Sequence, residues 1–159
     1  MADIHEVDEQ PRRYPVDAKR LWAGGLATAA VAALLAVVGI LFARGLLGVA
    51  ILAPKGEGVW GDATTGWYAL GAAVLSLLAT ALVHGLLLST PRPLLFFGWV
   101  VGLATAIAVL APFVAGGTTA ATVATAVLNL VLGIAIGSLV SGSARSSMRA
   151  RGFEGQAYG

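Results

Sequence analysis

The chain has 159 residues, of which 58% are hydrophobic and 11% are charged. A soluble domain averages about 45–50% apolar and about 25% charged residues, so this chain cannot clothe a water-facing surface and is not an ordinary soluble globule. It contains no cysteine, which excludes a disulfide scaffold, an iron–sulfur centre and a cysteine-ligated zinc site.

The N-terminal stretch is polar and mixed in sign, with Asp3, Glu6, Asp8, Glu9 and Asp17 beside Arg12, Arg13, Lys19 and Arg20. Together with Pro11 and Pro15, that composition predicts a disordered tail over 1–18. The apolar run that follows is too long for the core of a cleavable signal peptide and reads as a retained first helix. No Asp, Glu, Lys or Arg lies between Leu21 and Ala43, between Gly66 and Pro91, or between Pro93 and Ala144. Each of the first two gaps fits one helix of about 20 apolar residues, enough to cross a hydrocarbon core about 30 Å thick. The third gap holds two such helices and divides at the turn-like Gly116-Gly117-Thr118-Thr119. The predicted spans are 21–43, 67–89, 94–115 and 119–141, within a membrane domain over 19–142 that is followed by a flexible tail over 143–159. The predicted fold is all-α, an antiparallel up-down bundle of four transmembrane helices.

Residues 45–66 form the one connection long enough to hold structure. Gly45 and Gly48 predict a break after the first helix, with Leu46–Ala53 lying along the membrane interface until Pro54 stops it. This segment reads as a greasy linker at the bundle mouth, with a ligand lid or a partner-binding surface as alternatives.

Direction follows from the basic residues. Arg12, Arg13, Lys19, Arg20, Arg92, Arg145, Arg149 and Arg151 fall on one side of a four-span layout, and Arg44 and Lys55 on the other. The positive-inside rule then predicts a multi-pass protein of a bacterial inner membrane with both termini in the cytoplasm. Trp22 and Trp99 mark the inner interface, and Trp60, Trp67 and Tyr68 the outer one. The juxtamembrane charges serve topology and anionic headgroups, so no nucleic-acid partner is expected.

Polar groups in hydrocarbon are costly unless satisfied, and their positions are therefore informative. Ala72, Ser76, Thr80 and His84 form an i, i+4 row along the second span. Thr118, Thr122, Thr125, Asn129, Gly133 and Gly137 share one broad face of the fourth, with Asn129 near its middle, while Thr105 lies mid-way along the third. Ser76, Thr80, His84, Thr105, Thr122, Thr125 and Asn129 are the candidate site residues, read either as helix-packing contacts or as the lining of a polar pathway. Gly98-x-x-x-Gly102 and Gly133-x-x-x-Gly137 add a close-packing signal. His84 is the single imidazole in a span, either a pH-sensing group or a neutral histidine bonded to a helix carbonyl or interfacial water. Pro112 is expected to kink or end the third helix.

No span carries a carboxylate, and phosphate-loop, zinc-protease and nucleophile-elbow motifs are missing. The serines have no paired base. No catalytic residue, cofactor or metal site is assigned, and the chain is expected not to be an enzyme.

Trp22-Ala23-Gly24-Gly25-Leu26-Ala27-Thr28-Ala29 and Trp99-Val100-Val101-Gly102-Leu103-Ala104-Thr105-Ala106 share the pattern W-x-x-G-L-A-T-A. Ala73-Val74-Leu75-Ser76-Leu77 likewise echoes Ala126-Val127-Leu128-Asn129-Leu130. Two parallel two-helix repeats, or chance matches in an Ala/Leu/Val-rich background, account for these echoes.

The lead-in Val16-Asp17-Ala18-Lys19-Arg20-Leu21-Trp22, the close of the first helix at Ala43-Arg44-Gly45 and the hook Leu52-Ala53-Pro54 resemble the small four-helix actinobacterial membrane proteins of unknown function. The resemblance covers most of 16–142 and implies a GC-rich source, in keeping with eight arginines against two lysines. It implies no activity. The functional expectation is an integral membrane protein that acts by helix packing with itself or an unidentified membrane partner in the lipid bilayer. The alternative is a small oligomeric channel or carrier for a small solute.

Overall fold

A computed structural model of the chain describes residues 17–49, 51 and 65–149. Four helices make up nearly all of it: α1 (Ala18–Gly45), α2 (Thr65–Ser89), α3 (Pro93–Ala115) and α4 (Thr119–Arg149). At about 1.5 Å per residue each is about 35–46 Å long, which exceeds a hydrocarbon core of about 30 Å. All four are apolar enough to cross a membrane. The sequence expected these four spans, and each predicted span lies within its helix. The disorder expected of 1–16 and 150–159, Trp60 and the Pro54 stop all lie outside the described residues.

The helix ends have local causes. The Asp17 carboxylate accepts from the Arg20 backbone N–H at 3.2 Å and caps α1. At the other end Gly48 takes φ +62°, and the Val49 N–H donates to the Ala43 carbonyl at 2.9 Å. The chain turns there, leaving Leu46 and Leu47 exposed and returning Ile51 to the core. The α2–α3 connection is Thr90-Pro91-Arg92, and Pro93 occupies the first turn of α3, where its missing N–H costs nothing. Thr118 starts α4: its hydroxyl accepts from the Ala121 N–H at 3.3 Å. Pro112 does not end α3; it is buried inside the helix, which runs on to Ala115.

Two boundaries need correction. Asp17 and Ala18, expected in the disordered tail over 1–18, cap and begin α1. The chain over 143–149, expected to be flexible, continues α4 without a break as far as Arg149. Ala144 and Ser147 are buried there. Ser143 meets Gly24 of α1, where an added Cβ would lie 2.7 Å from the Ser143 Cβ. Tertiary packing holds these turns in helix although Ser and Gly are poor helix formers.

In cross-section the helices run α1, α2, α3, α4 around a ring. The α1–α2 and α3–α4 hairpins are the closest pairs, α1 also lies along α4, and α2 and α4 touch across the centre while α1 and α3 do not meet. Small side chains allow the approach, since association within lipid depends on van der Waals fit. Ala32 and Ala36 of α1 are 1% and 0% exposed. A Cβ at Gly25 would lie 2.5 Å from Thr80 Cγ2, and one at Gly133 would lie 2.4 Å from Thr105 Cγ2. Thus a threonine seats on a glycine in both hairpins. The two halves are not equivalent, however: Gly25 is buried, whereas its counterpart Gly102 is exposed with open space around it.

Helix α3 is the outlier. It buries only Phe97 and Pro112, and its most apolar stretch is 6% buried against 33% for those of α1 and α4. Trp99, Leu103, Ile107 and Leu110 all face outward. This distribution suits hydrocarbon as the surrounding medium, because such a surface in water would be an aggregation site.

Candidate functional site

The polar side chains of the spans divide into those satisfied by their own helix and those that reach across. Thr80 donates to the Ser76 carbonyl at 2.9 Å, Thr105 to the Val101 carbonyl at 2.8 Å and Thr125 to the Ala121 carbonyl at 2.7 Å. Thr28 does the same with Gly24 at 2.8 Å. This i−4 bonding satisfies a hydroxyl in an apolar medium while its methyl group packs on a neighbour.

Asn129 is the residue that links helices. Its Nδ2 donates to the Ala108 carbonyl of α3 at 2.7 Å, and its Oδ1 accepts a hydrogen bond from the Tyr68 hydroxyl of α2. One α4 side chain thereby joins three helices. Because α4 extends to Arg149, its midpoint falls at Ile134, and Asn129 lies five residues toward the Gly117 end instead of near the middle.

The structure puts the expected residues in two groups. Ser76, Thr80, Thr122 and Thr125 are buried between helices, and Thr105 and His84 are half-buried. Thr80 lies on Gly25 and Thr105 on Gly133, so these two serve different helix contacts. Asn129 joins Tyr68, a residue whose place in the sequence predicts only an interfacial aromatic. The signal was present, since Tyr68 stands one turn before Ala72 on the row that continues through Ser76, Thr80 and His84. The acceptor at Ala108 is a backbone carbonyl and leaves no trace in side-chain identity.

Two buried polar atoms on that α2 row have no hydrogen-bond partner among the described residues: Ser76 Oγ and His84 Nδ1. The helix-carbonyl bond expected of His84 is therefore not made at Nδ1. Buried groups of this kind are uncommon and call for water or a functional explanation. Among the described residues no group of three His, Cys, Asp or Glu side chains could hold a metal ion.

On the outside of the α3–α4 hairpin lies a groove of about 720 Å³. Gly98, Gly102, Gly137, Ser141 and Arg145 are among its lining residues; of the seven expected site residues it includes only Thr105. The two glycine pairs behave differently here. Gly133 and Gly137 already meet Thr105 and Val101, whereas a Cβ at Gly98 or Gly102 would meet nothing within 4 Å.

Four membrane-crossing helices joined by close-packed small residues and a polar clasp define a multi-pass integral membrane bundle. The family model of DUF6069, described as a family of unknown function, matches residues 16–146, and the chain belongs to that family. Neither a curated protein nor a solved structure matches it.

Proposed function

We propose that this is a non-enzymatic structural or accessory protein of a bacterial inner membrane, acting through helix packing with itself or with a membrane partner. The observation that carries this reading is α3, the helix with the least burial, whose outer face of Trp99, Leu103, Ile107 and Leu110 has no partner within the bundle. The internal polar groups support it, because Thr80, Thr105 and Thr125 already spend their hydroxyl protons on carbonyls of their own helices and Asn129 ties α4 to α3. Both termini are assigned to the cytoplasm, supported by the eight basic residues at one end, and the arginine preference supports an actinobacterial source.

A second reading, a small oligomeric channel or carrier, draws on Ser76 Oγ and His84 Nδ1, two buried groups that water could satisfy. Purification in mild detergent from the native host separates the two. A stoichiometric membrane partner, or a homo-oligomer that passes no solute in liposomes, supports the packing role, whereas a protein recovered alone that conducts solute in liposomes overturns it. Topology has its own test in this cysteine-free chain. Lys55→Cys should react with an impermeant thiol reagent on intact cells, and Arg92→Cys only after permeabilisation.

A further inference from the structure

The α3–α4 groove has a graded lining that the packing role does not use. Its deep part is apolar, walled by Val109, Ala106, Leu130 and Ile134, and Gly102 and, nearer the other end, Gly98 widen it, since their missing side chains leave open space. Its other end is polar, with Ser141 and Arg145 one turn apart on the same face of α4. Ser138, Ser146 and Ser147 each donate to a carbonyl of their own helix. The Ser141 hydroxyl makes no such bond and stands on the groove wall as a free donor.

Depth fits the same grading. Arg145 is eleven residues past Ile134, the midpoint of α4. That is about 16 Å along the axis, the boundary of a hydrocarbon core about 30 Å thick. The groove thus runs from the bilayer centre to the headgroup level of one leaflet, at the end of the bundle that also carries Lys19, Arg20 and Arg92.

We propose that this groove is a binding site for an anionic phospholipid, with the phosphate on Arg145 and Ser141 and an acyl chain lying over Gly102. Charge complementarity selects this occupant. Residues 65–149 contain no Asp or Glu, and the described carboxylate, Asp17, caps α1. A second copy of the bundle therefore brings no counter-ion from α2, α3 or α4 to Arg145, whereas a lipid phosphate brings one together with the apolar chain that fills the groove. Basic pockets between helices recognise anionic headgroups by this combination.

The test measures retention of phosphatidylglycerol against phosphatidylcholine on the full chain in mild detergent by native mass spectrometry. Wild type should hold one phosphatidylglycerol in preference. Arg145→Gln should weaken that binding about fivefold, the effect of one interfacial cation, and Arg145→Lys should largely retain it. Gly102→Leu, which fills the groove while leaving the charge, should weaken both lipids. Arg92→Gln, at the same end but off the groove, should leave the preference intact. Equal losses from Arg92→Gln and Arg145→Gln would mean diffuse surface attraction and overturn the site. Equal binding of the two lipids, or cross-linking of two chains through a Gly102→Cys variant in native membranes, would overturn it as well.

Discussion

Asn129 shows how one polar side chain organises an apolar bundle. Its amide both donates and accepts, so it closes a link from α2 Tyr68 through α4 to the α3 backbone at Ala108. Membrane-embedded hydrogen bonds are each worth about 0.6–2 kcal/mol. Asn129→Leu should lower the detergent melting temperature without impairing insertion, and Tyr68→Phe should lower it less. Adding Tyr68→Phe to Asn129→Leu should cost nothing further, because the hydroxyl has then already lost its acceptor; additive losses would show that the clasp does not operate. Ser76 tests the opposite case. Its hydroxyl is buried without a partner, so Ser76→Ala should leave the melting temperature unchanged or raise it slightly. A clear loss of stability there would reveal a bond to water or substrate.

At the scale of the helix, close approach is set by residues that lack a side chain. Gly25 receives Thr80, and Gly25→Val should force the α1–α2 pair apart at a cost of about 1–3 kcal/mol, measurable as reduced thermal stability. The equivalent change at Gly102 meets open space and should be tolerated by the fold. The last turns of α4 give a second prediction. A chain ending at 142 should melt lower than one ending at 149, because it loses the Ser143 contact with Gly24 and the buried Ala144 and Ser147. Equal melting would mean those turns add nothing to the bundle.

For the whole molecule, the ring order predicts which helices can be joined. A Gly24→Cys, Ser143→Cys pair should oxidise readily, because the two Cβ positions of α1 and α4 meet there and need to part only slightly to reach disulfide spacing. A Leu34→Cys, Leu103→Cys pair, on α1 and α3, should form no bridge within a protomer, because those helices do not meet. Gel mobility under oxidising conditions reads both outcomes. The arrangement also explains why α3 can be the most apolar helix and the least buried: its outward side chains find a favourable apolar environment outside the bundle, in lipid or against a membrane partner.

By itself the sequence determined the number of spans, their place along the chain and the uneven division of basic residues between the two sides of a four-span layout. These follow from transfer free energy, which depends on composition along the chain and needs no partner helix. It also exposed the polar row on α2 and the threonine–asparagine face of α4, because helical spacing alone sets which residues share a face. The partners of those faces came only with the tertiary structure. Tyr68 and the Ala108 carbonyl could become the two ends of one clasp only once α2, α3 and α4 had a relative rotation and depth. The same packing decided that Gly133 would close a contact and Gly102 would open a groove, though both stand in identical G-x-x-x-G spacing. A composition of 58% hydrophobic and 11% charged residues makes lipid the solvent of this protein. Which small residues face a helix and which face lipid is a property of pairs, and pairs exist only in the folded bundle.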